Sequence, residues 1–254
     1  MVRRSAAAAL AVSFFFSQSA FAQSGPAPES ERQPAFTVTG GVTLASQYRF
    51  RGISLSDEEA ALQGTLNLNH ESGIYAGVWA STLDGFGELG GSNLELDLYA
   101  GYRRQVAAGI TLDAGLLYYA YPGSSGGDFE FFEPYASVTV NRGPVTGKLG
   151  IAVAPSQDAL GGNANTYVYG DLSLAIPRTP LTLTGHLGNS HGNTPLTPSG
   201  DYLDWSVGVS ASWRNLTLAA AYVDTNLSAT EAAAGGATRD IVDGAFVATL
   251  AASF

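Results

Sequence analysis

The side chains able to do chemistry are few and of opposite sign. Arg49, Arg51, Arg103 and Lys148 stand against Glu95, Asp97, Asp113, Glu133, Asp171 and Asp204, with His186 among them. Each occupies the hydrophilic register of a segment in which polar and apolar residues alternate. Alternate side chains of a strand point to opposite faces, so these charges share one face of a sheet. Two kinds of chemistry fit them. Ion pairs and tyrosine hydrogen bonds can fill and brace a narrow interior, or cationic and anionic groups can face each other across a constriction and select solutes by charge and size.

Two motif matches suggest other chemistry and fail on context. Gly85-Phe86-Gly87-Glu88-Leu89-Gly90 has the spacing of a dinucleotide fingerprint, but that motif needs a helix after it, and strand alternation follows from Asn93. Gly188-Asn189-Ser190-His191-Gly192 has the spacing of a nucleophile elbow, which also leads into a helix; Thr194, Pro195, Thr197 and Pro198 follow instead. No catalytic residue, cofactor-binding residue or metal ligand is assigned, and no cofactor is expected.

Strands must position the charged residues. From Phe36 to Ile53 one set of alternate residues is Phe36, Val38, Gly40, Val42, Leu44, Ser46, Tyr48 and Phe50. The other is Thr37, Thr39, Gly41, Thr43, Ala45, Gln47, Arg49 and Arg51. The run is long, apolar on one side, hydrophilic on the other and aromatic at both ends of the apolar side. The same alternation returns from Leu62, Leu94, Ile110, Phe132, Val145, Tyr167, Leu181, Tyr202 and Phe246. Segments 74–84 and 216–224 are apolar on both faces, so their sides stay unassigned. The total is about twelve strands, each near the roughly 9–11 residues that a tilted membrane strand needs. No window has a helical period.

Connections alternate in size. Tight turns fall at 71–73, 141–144, 177–180 and 214–215, with a slightly longer one at 104–109. Mostly longer loops rich in Gly, Asp and Ser fall at 54–59, 85–92, 122–130, 156–164, 188–200 and 225–239. Short turns at one end and long loops at the other are the outer-membrane arrangement. Outward aromatics then form two belts: Phe36, Tyr102, Trp213 and Phe254 at the turn end, and Tyr48, Phe50, Tyr118, Phe132, Trp205, Tyr222 and Phe246 at the loop end. The expected fold is an all-β, antiparallel, up-and-down transmembrane β-barrel over residues 36–254. Its last strand, ending on Phe254, pairs with the first, because unpaired backbone groups in lipid are too costly.

Composition agrees. The 254 residues include 31 glycines and no cysteine, with 13% charged and 45% hydrophobic residues. No disulfide framework or thiolate metal site is therefore available. Residues 1–22, with Arg3 and Arg4, an apolar core and Ala20-Phe21-Ala22, have the form of a secretory signal peptide, and 23–35 form a flexible lead-in. The net charge of −10, more acidic still without Arg3 and Arg4, argues against a nucleic-acid partner. The expected location is the outer membrane of a Gram-negative bacterium.

Particular stretches resemble a known family. Ser46-Gln47-Tyr48-Arg49-Phe50-Arg51-Gly52-Ile53-Ser54 is the most specific, joined by Ala61-Leu62-Gln63-Gly64, Gly73–Ser81, Glu95–Tyr102 and Tyr118–Pro122. These are similar to the Gcw_chp or TorF-type family of proteobacterial outer-membrane proteins proposed as porins, densely over 36–122 and more thinly to Phe254. The resemblance implies a single barrel and a porin role, and it brings no catalytic residues. The function expected is passive diffusion of small hydrophilic solutes or ions through a narrow polar lumen, not enzymatic. The partners expected are outer-membrane lipid, small polar solutes and, through the Phe254 strand, the barrel-assembly machinery. The alternatives are a barrel enzyme acting on lipids through His186 or Ser190-His191, and a secreted, soluble carbohydrate-binding β-sandwich.

Overall fold

The computed structural model describes residues 35–83, 89–234 and 239–254. The expected signal peptide and all of the lead-in except Ala35 lie outside the described residues, as does most of the Gly85–Gly90 match. Twelve strands close into one barrel, each antiparallel to its neighbours. In chain order they are β1 (Phe36–Ala45), β4 (Ala61–His70), β5 (Ile74–Thr82), β6 (Leu94–Ala107), β7 (Ile110–Ala120), β8 (Phe131–Arg142), β9 (Val145–Ala154), β10 (Asn165–Ala175), β11 (Leu181–His191), β12 (Asp201–Trp213), β13 (Leu216–Thr225) and β14 (Ala245–Ser253). A small hairpin of β2 (Arg49–Phe50) and β3 (Ile53–Ser54) stands apart from the wall.

Closure joins the two ends of the chain. Gly41–Ala45 of β1 pairs with Thr249–Ser253 of β14. Gly40 and Phe254 extend that ladder by exchanging amide-to-carbonyl bonds of 3.0 and 2.9 Å. The seam leaves no free sheet edge, as a wall standing in lipid requires.

The outer wall is apolar and exposed: Val42, Leu66, Leu98, Leu116, Leu149, Leu172, Leu187, Val207 and Leu250 all face outward. The aromatic belts stand at both rims. Phe36, Tyr102, Trp213 and Phe254 are exposed at the turn end, and Tyr118, Phe132, Trp205 and Phe246 at the loop end. Trp205, Tyr222 and Phe246 pack on one another there. The two strands with unassigned sides resolve by the same alternation. In β5, Tyr75 and Ser81 are buried inside while Ile74 is exposed, and in β13, Val223 is buried while Leu216 and Leu218 are exposed. Their inner faces read as apolar because small or aromatic residues fill the bore.

Inside, tyrosines lie over glycines of neighbouring strands. Tyr75 pairs with Gly101, Tyr99 with Gly77, Tyr135 with Gly115 and Tyr169 with Gly150. A Cβ at Gly77 would stand 2.6 Å from the Tyr99 ring. That ring cannot move away freely, because its hydroxyl donates to Asn67 Oδ1 at 2.6 Å. Gly77→Ala is therefore expected to overpack the wall by about 1–3 kcal/mol and lower the urea midpoint of the folded barrel. Tyr99→Leu added to it should recover part of the loss, and an unchanged midpoint for Gly77→Ala would remove this account.

The first expected strand needs correction. It stops at Ala45 rather than running to Ile53, and Tyr48 and Phe50 are each only 2% exposed. They do not belong to the outer belt; they point into the barrel as part of an apolar core. The last long loop also differs, since it contains the short helices α1 (Ala229–Ala234) and α2 (Arg239–Val242). A capping box explains the first: the Ser228 amide and hydroxyl donate to Glu231 Oε2 at 2.8 and 2.6 Å, and the Glu231 amide donates back to Ser228 Oγ. The Ser228 hydroxyl and then its amide hold the Glu231 carboxyl below its ordinary range. The cap therefore contributes stability above the free-carboxylate range and loses it as pH falls below that range.

Candidate functional site

The site begins where β1 ends. After Ala45 the chain leaves the wall and folds into the bore as the β2–β3 hairpin. Arg51 and Gly52 form its tip, with φ of 44° and 85°. Positive φ at both central residues is the two-residue turn whose twist suits a tight hairpin. It is unfavourable for arginine, so the contacts of Arg51 must hold it there.

Those contacts cross the lumen. Arg51 Nη2 donates to both carboxylate oxygens of Glu133, at 2.8 and 3.0 Å, and Nη1 donates to Asn165 Oδ1 at 3.0 Å. The guanidinium lies 4.0 Å above the Tyr167 ring and 4.6 Å from Phe50, within cation–π range. The Tyr119 hydroxyl completes the cradle, donating to Glu133 Oε2 at 3.0 Å. Burial alone would push the Arg51 guanidinium down, but the Glu133 carboxylate offsets this and holds it above its ordinary value. Counting round the closed sheet, β9 lies opposite β1. Glu133 is on β8 and Asn165 and Tyr167 are on β10, so the hairpin grips both strands that flank the far wall.

The hairpin base is tied as firmly. Arg49 donates to Gln47 Oε1 at 2.8 Å, to the Gly52 carbonyl at 2.8 Å and to the Asp243 carbonyl at 2.7 Å, and it pairs with Glu58 at 3.2 Å. Tyr48, Phe50 and Leu55 of this segment pack with Leu83, Leu89, Tyr119, Tyr121, Phe129, Phe131, Leu160 and Leu196. Ile53 packs separately with Tyr202 of β12 and with Ile241 and Val242 from the last loop. The loop-side part of the bore therefore holds an apolar core that narrows it, where the sequence pointed to a polar lumen. Alternation could not reveal this, because Tyr48, Phe50, Leu55, Leu89, Phe129, Leu160 and Leu196 come from outside the barrel ladder.

Below the hairpin lies a second network. His186 Nδ1 stands 2.6 Å from Asp171 Oδ1, and Nε2 stands 3.0 Å from Asp204 Oδ1 and 2.8 Å from the Tyr167 hydroxyl. Tyr167 also donates to Asp204 at 3.1 Å. A carboxylate thus stands against each ring nitrogen of the imidazole. Lys148 lies 5.1 Å from the Tyr169 ring centroid and pairs in register with Asp171.

Towards the turn end, Arg103 Nε donates to Asp113 Oδ2 at 2.8 Å. The Tyr75 hydroxyl donates to Asp113 Oδ1 at 2.5 Å and meets the Tyr135 hydroxyl at 2.6 Å. Arg103 is 49% exposed there, whereas Arg51 is buried at the opposite end, so the sequence-selected charges form separate tiers along the axis. Glu95 and Asp97 occupy a further place on β6, almost fully buried beside the apolar core.

Ser190 and His191 form no catalytic pair in this geometry. Ser190 is buried inside, while His191 faces outward and bonds to the exposed Asp201 at 3.1 Å; adjacent residues of a strand point to opposite faces. Sequence reading missed Asn165, Tyr119 and Tyr167, the neutral partners of the Arg51–Glu133 pair. The only sequence cue to them is their place on the inner register.

Among solved structures, the barrel is similar to the NanC porin in a rhombohedral crystal form, with a TM-score of 0.55 at 11% identity over 86% of this chain and 99% of that chain. It is similar also to the KdgM porin, with a TM-score of 0.56 at 10% identity over 85% of this chain and 98% of that one. A second KdgM structure, in complex with disordered oligogalacturonate, gives 0.55 at 10% identity over 85% and 98%. At these identities the likeness is one of fold. No curated protein matches the chain. The family model described as a bacterial protein of unknown function (Gcw_chp) matches residues 29–254, and the chain belongs to that family.

Proposed function

We propose that this protein is a porin of the Gram-negative outer membrane, admitting small hydrophilic solutes or ions through a bore narrowed at its loop end by the β2–β3 hairpin. The observation that carries this reading is the pairing of an exposed apolar outer wall with an inner wall bearing charged, hydroxyl and amide side chains. Water-lined passage needs the second and lipid needs the first. The solved barrels of similar fold are porins by name, which supports the same reading. Export by cleavage of the signal peptide, and capture of the β14 strand ending on Phe254 by the assembly machinery, belong to this proposal.

Purified protein in planar bilayers is expected to give discrete conductance steps. Absence of steps would remove the porin reading.

A further inference from the structure

Charge is unbalanced beneath the hairpin. Glu95 and Asp97 are 0% and 1% exposed, and none of their four carboxylate oxygens has a hydrogen-bond partner. They sit two residues apart on β6, on the same inner face, roughly 6–7 Å along the strand. Ser81 and Trp79 of β5 stand beside them in register, with Tyr119 of β7 across from Asp97. From the hairpin segment comes Tyr48, its ring 5.3 Å from Trp79 and its buried hydroxyl near the Glu95 carboxyl without closing a well-formed hydrogen bond to it. The charged and titratable groups around the pair are Glu133 on β8, Arg51 on the hairpin, Tyr99 on β6, and Tyr48, Tyr119 and Tyr121.

Arg51 is already committed to Glu133 and Asn165. Three carboxylates share one guanidinium, so Glu95 and Asp97, if ionised, would face no cation of their own. An unpaired charge in such a place is expensive, and two equal charges on one strand face add repulsion.

We propose that Glu95 and Asp97, with the Tyr48 hydroxyl, form an oxygen-only site for a hard divalent cation of the calcium or magnesium class, which fastens the hairpin to the β6 wall. Carboxylate oxygens bind such ions at about 2.3–2.6 Å for calcium and about 2.0–2.1 Å for magnesium, and side chains two residues apart on one strand face can both reach a single ion. No thiol or imidazole is among the donors, so softer transition metals are not selected. Two positive charges cancel the local excess. Tyr48 belongs to the segment that narrows the bore, so the ion couples wall to hairpin. The site is distinct from the passage and does not depend on conductance.

Terbium luminescence tests it directly, because tyrosines 48, 119 and 121 surround the pair and can sensitise the ion. The full barrel in detergent, first stripped with a chelator at neutral pH, is expected to give saturable tyrosine-sensitised terbium emission that calcium displaces. Glu95→Gln with Asp97→Asn should weaken terbium binding about tenfold or more, whereas Asp57→Asn with Asp158→Asn, both on exposed loops, should leave it unchanged. Calcium should also raise the melting temperature of the parent barrel and not that of the Glu95/Asp97 variant. Emission that is absent, or equal in both variants, overturns the proposal. So does a parent melting temperature indifferent to calcium, which is the result expected if two protons neutralise the carboxylates. Neither outcome bears on the porin reading, which stands or falls on bilayer recording.

Discussion

Arg51→Ala is expected to raise single-channel conductance severalfold. The substitution leaves Glu133 buried with only the Tyr119 hydroxyl as partner, and removes the bond to Asn165 and the contact with Tyr167. Breaking a buried pair from one side costs about 3–5 kcal/mol. At about 1.4 kcal/mol per tenfold, that shifts the seated-to-unseated ratio of the hairpin by roughly two to four powers of ten. The wall does not depend on the hairpin for its ladder, so the barrel should still form and migrate as a folded species in unheated detergent gels. Glu133→Gln keeps a polar partner and should act in the same direction with smaller size. Bilayer recordings in which both variants match the parent would show that the hairpin does not limit flow.

The second large effect concerns which face meets lipid. Leu98 is exposed on the outer wall of β6, between Val78 of β5 and Tyr118 of β7. Leu98→Arg puts a charge against hydrocarbon at about 2–4 kcal/mol near the midplane, and the folded, heat-modifiable band is expected to disappear or fall sharply. Ser173→Arg supplies the same side chain to the inner face of β10, between Thr146 and Thr184, and should assemble normally. Equal yields of folded barrel from the two variants would mean that the wall has been assigned inside out.

The barrel was legible because lipid and water impose opposite demands on alternate residues, and all wall strands but β5 and β13 record them plainly. Strand number, the β1–β14 seam and the inward side of Glu133, Asp171, His186 and Asp204 all follow from that one periodicity. Its limit is seen at Ser46–Ser54. Period-two alternation continues through Tyr48 and Phe50, so the segment reads as more strand, yet it has left the wall. Gly52 held half a cue, since a two-residue hairpin favours glycine at its second central position, but Arg51 is not the Asn, Asp or Gly that usually precedes it. The destination of the hairpin was not readable, because Glu133 and Asn165 lie 82 and 114 residues away and nothing local names them. The short α1 helix had its own signal in Ser228 and Glu231, overlooked because six residues are too few to display a helical period.

The position of the hairpin has a mechanical consequence. A thin-walled cylinder resists stretching along its hydrogen bonds far better than it resists being squashed into an oval. Rooted next to β1 and clasped by β8 and β10 on the far side, the Arg51 tip works like a spoke, holding two opposite arcs of the rim at a fixed separation. Lateral pressure from the surrounding bilayer is then carried partly by one guanidinium, and a barrel deprived of it should breathe in cross-section as well as conduct more.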